Sequence, residues 1–169
     1  MTENRLDAPA NATHFVVTRT LRAPRALVYK CYTDPQHTVH FWGPRGSSLA
    51  ECRIDLRVGG VWRVVWRFPD GSGYGYSSVY LEINAPERLH YRDAPDDWAG
   101  DIEGLPPLQL LTTLKLAETG QETKVTNTVR FLSVAERDQA MAQGFVGMVN
   151  MGNDRLAEYL ETLAAEGAA

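Results

Sequence analysis

The chain has 169 residues, of which 44% are apolar and 22% charged; this globular balance excludes a disordered, collagen-like or disulfide-dense protein and suits a single hydrophobic core. A formal charge of -4 and a pI near 5.6 leave no basic field for nucleic acid or anionic lipid, and no apolar run reaches signal-peptide or membrane-spanning length, which predicts a cytoplasmic protein without membrane insertion. Cys31 and Cys52 form no CxxC pair, so they read as two reduced thiols rather than a disulfide or part of a zinc site.

The first twelve residues are polar, contain Pro9 and show no period. Residues 1–12 therefore read as a flexible N-terminal arm, residues 13–165 as a single domain and residues 166–169 as a tail. The segment from His14 to Leu21 is rich in β-branched residues and alternates, which predicts a first strand. Pro24 suits the first turn of a helix, along which Leu27, Val28, Cys31 and Tyr32 recur at helical spacing. Asp34-Pro35 ends that helix and starts a second short one, which closes at Trp42-Gly43-Pro44. Three strands follow, from about Ser47 to Leu56, Val61 to Phe68 and Tyr74 to Asn84, separated by Gly59-Gly60 and by Pro69-Asp70-Gly71-Ser72-Gly73. Further strands run from about Arg88 to Asp93, Leu108 to Leu116 and Lys124 to Phe131, with Thr119-Gly120-Gln121 marking a hairpin. Ser133, with Glu136 three residues on, opens a proline-free segment to about Ala165, read as one long helix with a bend near Gly147. Hairpin-length links demand an antiparallel sheet, so the chain is α+β, and the helix lays Met141, Phe145, Met148, Gly152, Leu156, Tyr159 and Leu163 across that sheet.

Several stretches carry a resemblance. They are Ala23-Pro24-Arg25-Ala26-Leu27-Val28-Tyr29, Thr33-Asp34-Pro35, Trp42-Gly43-Pro44, Asp55-Leu56-Arg57-Val58-Gly59-Gly60-Val61-Trp62, Pro69-Asp70-Gly71, Pro86-Glu87-Arg88-Leu89, Asn150, and Asp154-Arg155-Leu156-Ala157-Glu158-Tyr159-Leu160. Together, over residues 14–163, they resemble the activator-of-Hsp90-ATPase-homologue family of START-like (SRPBCC), helix-grip proteins. The resemblance implies a curved antiparallel sheet of six or seven strands around the long C-terminal helix, with two short helices after the first strand. It also implies a cavity between sheet and helix, which in related families holds lipids, sterols, polyketides or hormones. It implies no single activity, because a shared fold does not set the chemistry.

Trp62, Val64, Trp66 and Phe68 alternate onto one strand face, opposite Arg63, Val65 and Arg67. With Trp42, Tyr76, Tyr80, Phe145, Met148, Val149 and Gly152, the two tryptophans are expected to line a space for a flat apolar ligand. Trp98 and Ile102, in the long acidic segment from Asp93 to Pro107, are expected to fold over its mouth. Tyr76, Tyr80 and Glu82 share a strand parity, so an inward Glu82 would bring a carboxylate into that space. His37 and His40 stand three apart without a third ligand, and His14 and His90 lack a serine or aspartate partner. No metal site and no catalytic triad is therefore read. Arg57, Arg63 and Arg67 are expected to pair across strands with Glu51, Asp55 and Glu82.

These residues predict binding of a small hydrophobic molecule, without a cofactor and without a catalytic residue. Two other readings stay open. One is a cyclase, dehydratase or hydrolase that uses cavity tyrosines, Glu82 or a histidine for proton transfer. The other is a protein-interaction module of the kind the family name suggests, although no motif points to a protein partner or a homodimer.

Overall fold

A computed structural model of the chain describes residues 3–168. Its elements are β1 (Arg5–Asp7), β2 (His14–Leu21), α1 (Arg25–Thr33), α2 (Pro35–Thr38), β3 (Ser48–Ile54), β4 (Val61–Arg67), β5 (Gly73–Asn84), β6 (Arg88–Ala94), a 3₁₀ turn (Ile102–Gly104), β7 (Leu110–Thr119), β8 (Glu122–Phe131), α3 (Val134–Ala142) and α4 (Phe145–Ala168). The eight strands form one antiparallel sheet in the order β1-β2-β8-β7-β6-β5-β4-β3. This is the expected α+β arrangement with one more strand than the sequence suggests.

Local chemistry sets the boundaries. Asp34 ends α1 and caps α2, its carboxylate accepting the Gln36 N–H at 2.9 Å. Ser133 caps α3 by accepting the Glu136 N–H at 3.1 Å, and the Glu136 carboxylate reaches back to the Leu132 N–H. Along β2, Phe15, Val17, Arg19 and Leu21 point into the core while the alternate residues are half-buried.

Three expectations are corrected. The arm is not loose along its described length: Leu6 pairs with Val17 in the β1–β2 ladder. The Asn4 side chain also reaches Asp154 and Asn153 on α4, and the buried Arg137 guanidinium donates to the carbonyls of Pro9, Ala10 and His14. Met1 and Thr2 lie outside the described residues. The single long helix is two helices, broken at Gly144, whose φ of +92° is a left-handed conformation that glycine adopts without strain. The bend expected at Gly147 therefore falls three residues earlier. Finally, α4 continues to Ala168, so residues 166–168 are helix rather than a separate tail.

The sheet's inner face carries two apolar clusters. The larger contains Val28, Cys31, Tyr32 and Phe41 of the α1–α2 region, Trp62, Val64 and Trp66 of β4, Tyr80, Leu89, Leu114 and Leu116 from the central strands, and Leu156 and Leu160 of α4. The smaller joins Phe15, Val17 and Val129 to Phe131, Met141, Phe145, Val146 and Val149. Helix α4 thus seats its first turns on one cluster and its middle on the other.

Candidate functional site

The inner face of β4 and β5 meets the loop after α2 in a network of rings. Trp42 stands edge-to-face on Trp62 at 4.6 Å between centroids, and Trp62 in turn meets Tyr91 at 5.4 Å and Tyr76 at 6.2 Å. Trp66 meets Tyr74 at 4.7 Å and Tyr76 at 5.7 Å. These are the tilted geometries that aromatic quadrupoles favour. The Trp42 indole N–H donates to the Tyr76 hydroxyl at 3.1 Å, tying the loop to the sheet. Gly43, at φ +105°, brings its backbone against the Trp66 ring: a Cβ there would lie 2.6 Å from Trp66 Nε1.

Helix α4 fixes that loop from the other side. The Arg155 guanidinium donates to the carbonyls of Gly43, Pro44 and His40. Arg45 forks onto the Glu158 carboxylate at 2.6 and 3.0 Å and donates its backbone N–H to Met151 Sδ. The bidentate pair holds the Glu158 carboxyl below its ordinary range, hydrogen bonding being the larger cause.

The phenols in this network are kept neutral. Burial raises the Tyr76 hydroxyl well above its usual value and raises Tyr32, Tyr80 and Tyr91 in the same direction. Burial pushes the Cys52 thiol up to about 11 and the Cys31 thiol up to about 12, the Trp62 indole N–H offsetting part of the rise at Cys52. Tyr76 and Tyr91 nevertheless keep accessible surface and are only half-buried. Trp66 and Tyr80, at 3% and 1% exposure, leave the indole N–H and the hydroxyl without a hydrogen-bond partner, as does the Tyr29 hydroxyl.

Of the residues expected to line a ligand space, Trp42, Trp62, Trp66, Tyr76 and Tyr80 come together in this cluster. The others are dispersed. Phe145 and Val149 belong to the smaller cluster, and Met148 is 45% exposed. Gly152, between the inward Val149 and Leu156, has open space where a side chain would begin, with nothing within 4 Å of an added Cβ.

Trp98 and Ile102 do not cover the ring cluster. Their loop is strapped over the opposite face of the sheet, because Asp96 and Asp97 ion-pair with Arg63, which alternation points away from Trp62 and Val64. Arg63 is 8% exposed and also holds Glu51 of β3 at 2.7 Å, and Ile102 lies where a side chain on Gly59 would reach. Trp98 rests against Gly100 and Gly104 of its own loop.

Glu82 also faces outward, to Arg88 at 3.7 Å. A bulge at Leu81 sets Tyr80 opposite Tyr91 but Glu82 opposite His90, which reverses the strand's parity and turns Ile83 inward. Arg57 pairs with Asp55 two residues away rather than across strands. His37 Nδ1 lies 2.8 Å from the Tyr159 hydroxyl and His40 stacks on the same ring. Among the described residues no three metal-binding side chains converge. Sequence reasoning missed Tyr91 and Tyr29. Tyr91 shares its parity in β6 with the buried Leu89, a signal that was present in the sequence.

The comparisons with known proteins bear on the fold. A family model described as activator of Hsp90 ATPase homolog 1-like protein matches residues 22–161. No curated protein matches the chain. Among solved structures, a Nitrosomonas europaea protein is 22% identical, with a TM-score of 0.79 over 94% of this chain and 99% of that one. A Mycobacterium smegmatis protein is 18% identical, with a TM-score of 0.81 over 96% and 99%. An AHSA1-like protein from Aeromonas hydrophila is 19% identical, with a TM-score of 0.65 over 88% and 94%. At such identities the likeness speaks for the fold alone.

Proposed function

Since the chain belongs to the activator of Hsp90 ATPase homolog 1-like family and has its START-like sheet and C-terminal helix, we propose that it binds a small apolar molecule between the ring cluster and α4. The observation that carries this reading is the ring cluster itself, where the half-buried Tyr76 and Tyr91 stand around Trp62 and the buried Tyr80 hydroxyl has no partner. Large half-buried rings beside an unpartnered buried hydroxyl are the kind of wall that apolar ligand sites use.

Binding without turnover is the reading the polar inventory supports. Among the described residues the buried polar side chains are Arg19, Thr38, Arg63, Ser77, Ser78, Thr112, Thr123, Asn127, Arg137 and Asn153, none of them a carboxylate or an imidazole, and His14, whose Nδ1 is buried without a partner, is as a residue half-buried.

Titration with N-phenyl-1-naphthylamine, a neutral fluorescent probe, tests the reading. The expected result is saturable binding of one probe per chain with quenching of tryptophan emission, and native mass spectrometry of freshly purified protein shows any molecule already held. Absence of both saturation and a co-purifying molecule refutes it.

A further inference from the structure

The outer face of the sheet, away from the ring cluster, holds a second polar site. Arg63 stands directly opposite Ser77 in the β4–β5 ladder, so the two side chains share that face. Ser77 is 1% exposed and its hydroxyl has no hydrogen-bond partner, a state that costs free energy. Arg63 presents Nε and Nη2 as a fork to the Asp96 carboxylate at 3.1 and 3.3 Å, while Nη1 holds Glu51 and Asp97 lies 2.8 Å from Nε. One buried guanidinium therefore faces three carboxylates, two of them on the strap formed by residues 93–107.

The strap is anchored at its ends and clipped in its middle. Arg92 donates to the carbonyls of Asp93 and Pro106, and the Asp93 carboxylate accepts the N–H groups of Gln109 and Leu110. Between these anchors Asp96 presses on Gly75, where an added Cβ would lie 3.1 Å from its Oδ1. Asp97 takes a left-handed φ of +57°, which costs free energy at a residue other than glycine. The Asp96 and Asp97 side chains are 47% and 72% exposed, so dissolved ions compete for the contact.

We infer that Arg63 and Ser77 form an oxyanion-binding site and that the strap is its internal competitor, with the Asp96 carboxylate seated where the carboxylate or phosphate group of a ligand binds once the strap lifts. The charges divide accordingly. Strands β3 and β4 bring Arg53, Arg63 and Arg67 to this face against Glu51, whereas the strap carries Asp93, Asp96, Asp97, Asp101 and Glu103 and no lysine or arginine. A ligand oxyanion takes the guanidinium fork in place of Asp96 and accepts the Ser77 hydroxyl proton, a bond that Asp96 does not make. Lifting the strap also frees Asp97 from its left-handed conformation, which offsets part of the lost ion pairing.

Calorimetric titration of the full chain with inorganic pyrophosphate and with tricarballylate, at constant ionic strength, tests this. The double variant Asp96→Asn/Asp97→Asn keeps the shape of the strap without its charge. It should bind at least about tenfold more tightly than the parent, as for a site that the strap leaves open less than about a tenth of the time. In that background Ser77→Ala should weaken binding by at least about tenfold, the range of a hydrogen bond to a charged group, and Arg63→Gln should abolish it. In the parent, pyrophosphate should speed proteolytic cleavage between Pro95 and Pro107 and leave cleavage elsewhere unchanged. Whichever anion binds more tightly identifies the ligand group as phosphate or carboxylate. Absence of binding to the double variant, equal affinity in parent and double variant, or binding that survives Ser77→Ala, as counterions on scattered arginines would, overturns the inference. Ser77→Ala breaks no ion pair, so its result stands even where Arg63→Gln loses stability.

Discussion

Gly152→Leu separates a hollow site from a filled one. An added Cβ meets nothing within 4 Å, so the new side chain starts in free space, and replacing glycine by leucine inside a helix contributes about 0.8 kcal/mol. Half-burying the leucine adds about 1 kcal/mol of apolar transfer, for a total near 2 kcal/mol. For a chain of this length that corresponds to a rise of about 4–8 °C in Tm. The same side chain occupies the proposed recess, so affinity for N-phenyl-1-naphthylamine should fall by at least about tenfold. Gly147→Leu is the control: it lies about 140° around α4, is exposed and also meets nothing within 4 Å. It should gain the helix contribution and keep probe binding. Paired scanning calorimetry and probe titration read both quantities. A lowered Tm in Gly152→Leu would show overpacking and refute the reasoning that places space beside this helix.

Arg63→Ala removes the guanidinium shared by Glu51, Asp96 and Asp97. Because its partners are half-exposed or exposed, the cost should stay near 2 kcal/mol, below that of a fully buried pair, and limited proteolysis should cut first between Pro95 and Pro107. Gly43→Ala puts a methyl 2.6 Å from Trp66 Nε1 at a positive φ, so chemical denaturation should show a loss of about 1–3 kcal/mol and Trp66 emission should shift. With Cys52 at about 11 and Cys31 at about 12, the folded protein should react slowly with a disulfide reagent at pH 8. Both thiols are raised, so the unfolded chain ionises first: stability from this source is intact below about pH 8.5 and lost as pH rises towards 11–12. Equilibrium unfolding at stepped pH checks the sign.

Period-two alternation placed Trp62, Val64 and Trp66 on one buried face, and glycine turns placed the strand ends, because both follow from local backbone geometry. What escaped was decided by one-residue or long-range events. The bulge at Leu81 inserts a single residue with no compositional mark, yet it reverses the face of Glu82. Which side of the sheet the Asp93–Pro107 segment crosses depends on Arg63, thirty-three residues from Asp96, and no local period encodes that choice. The dispersal of Phe145, Met148 and Val149 away from the tryptophans follows from the break at Gly144, where three glycines lie close in sequence and only packing selects the one that turns. A three-residue β1 is too short to show any alternation at all.

That short strand has a consequence for the solution behaviour of the protein. Strand β2 is eight residues long, and β1 pairs with it at Val16, Val17 and Thr18. Without residues 1–12, the amide and carbonyl groups along that side would be offered to any other strand in reach, the condition that promotes sheet-to-sheet association between molecules. Asn153 and Arg137 would at the same time lose acceptors supplied by Asn4, Pro9 and Ala10. A protein trimmed to begin at residue 13 should therefore sediment with a concentration-dependent mass, and the intact arm acts as a guard on the sheet's margin.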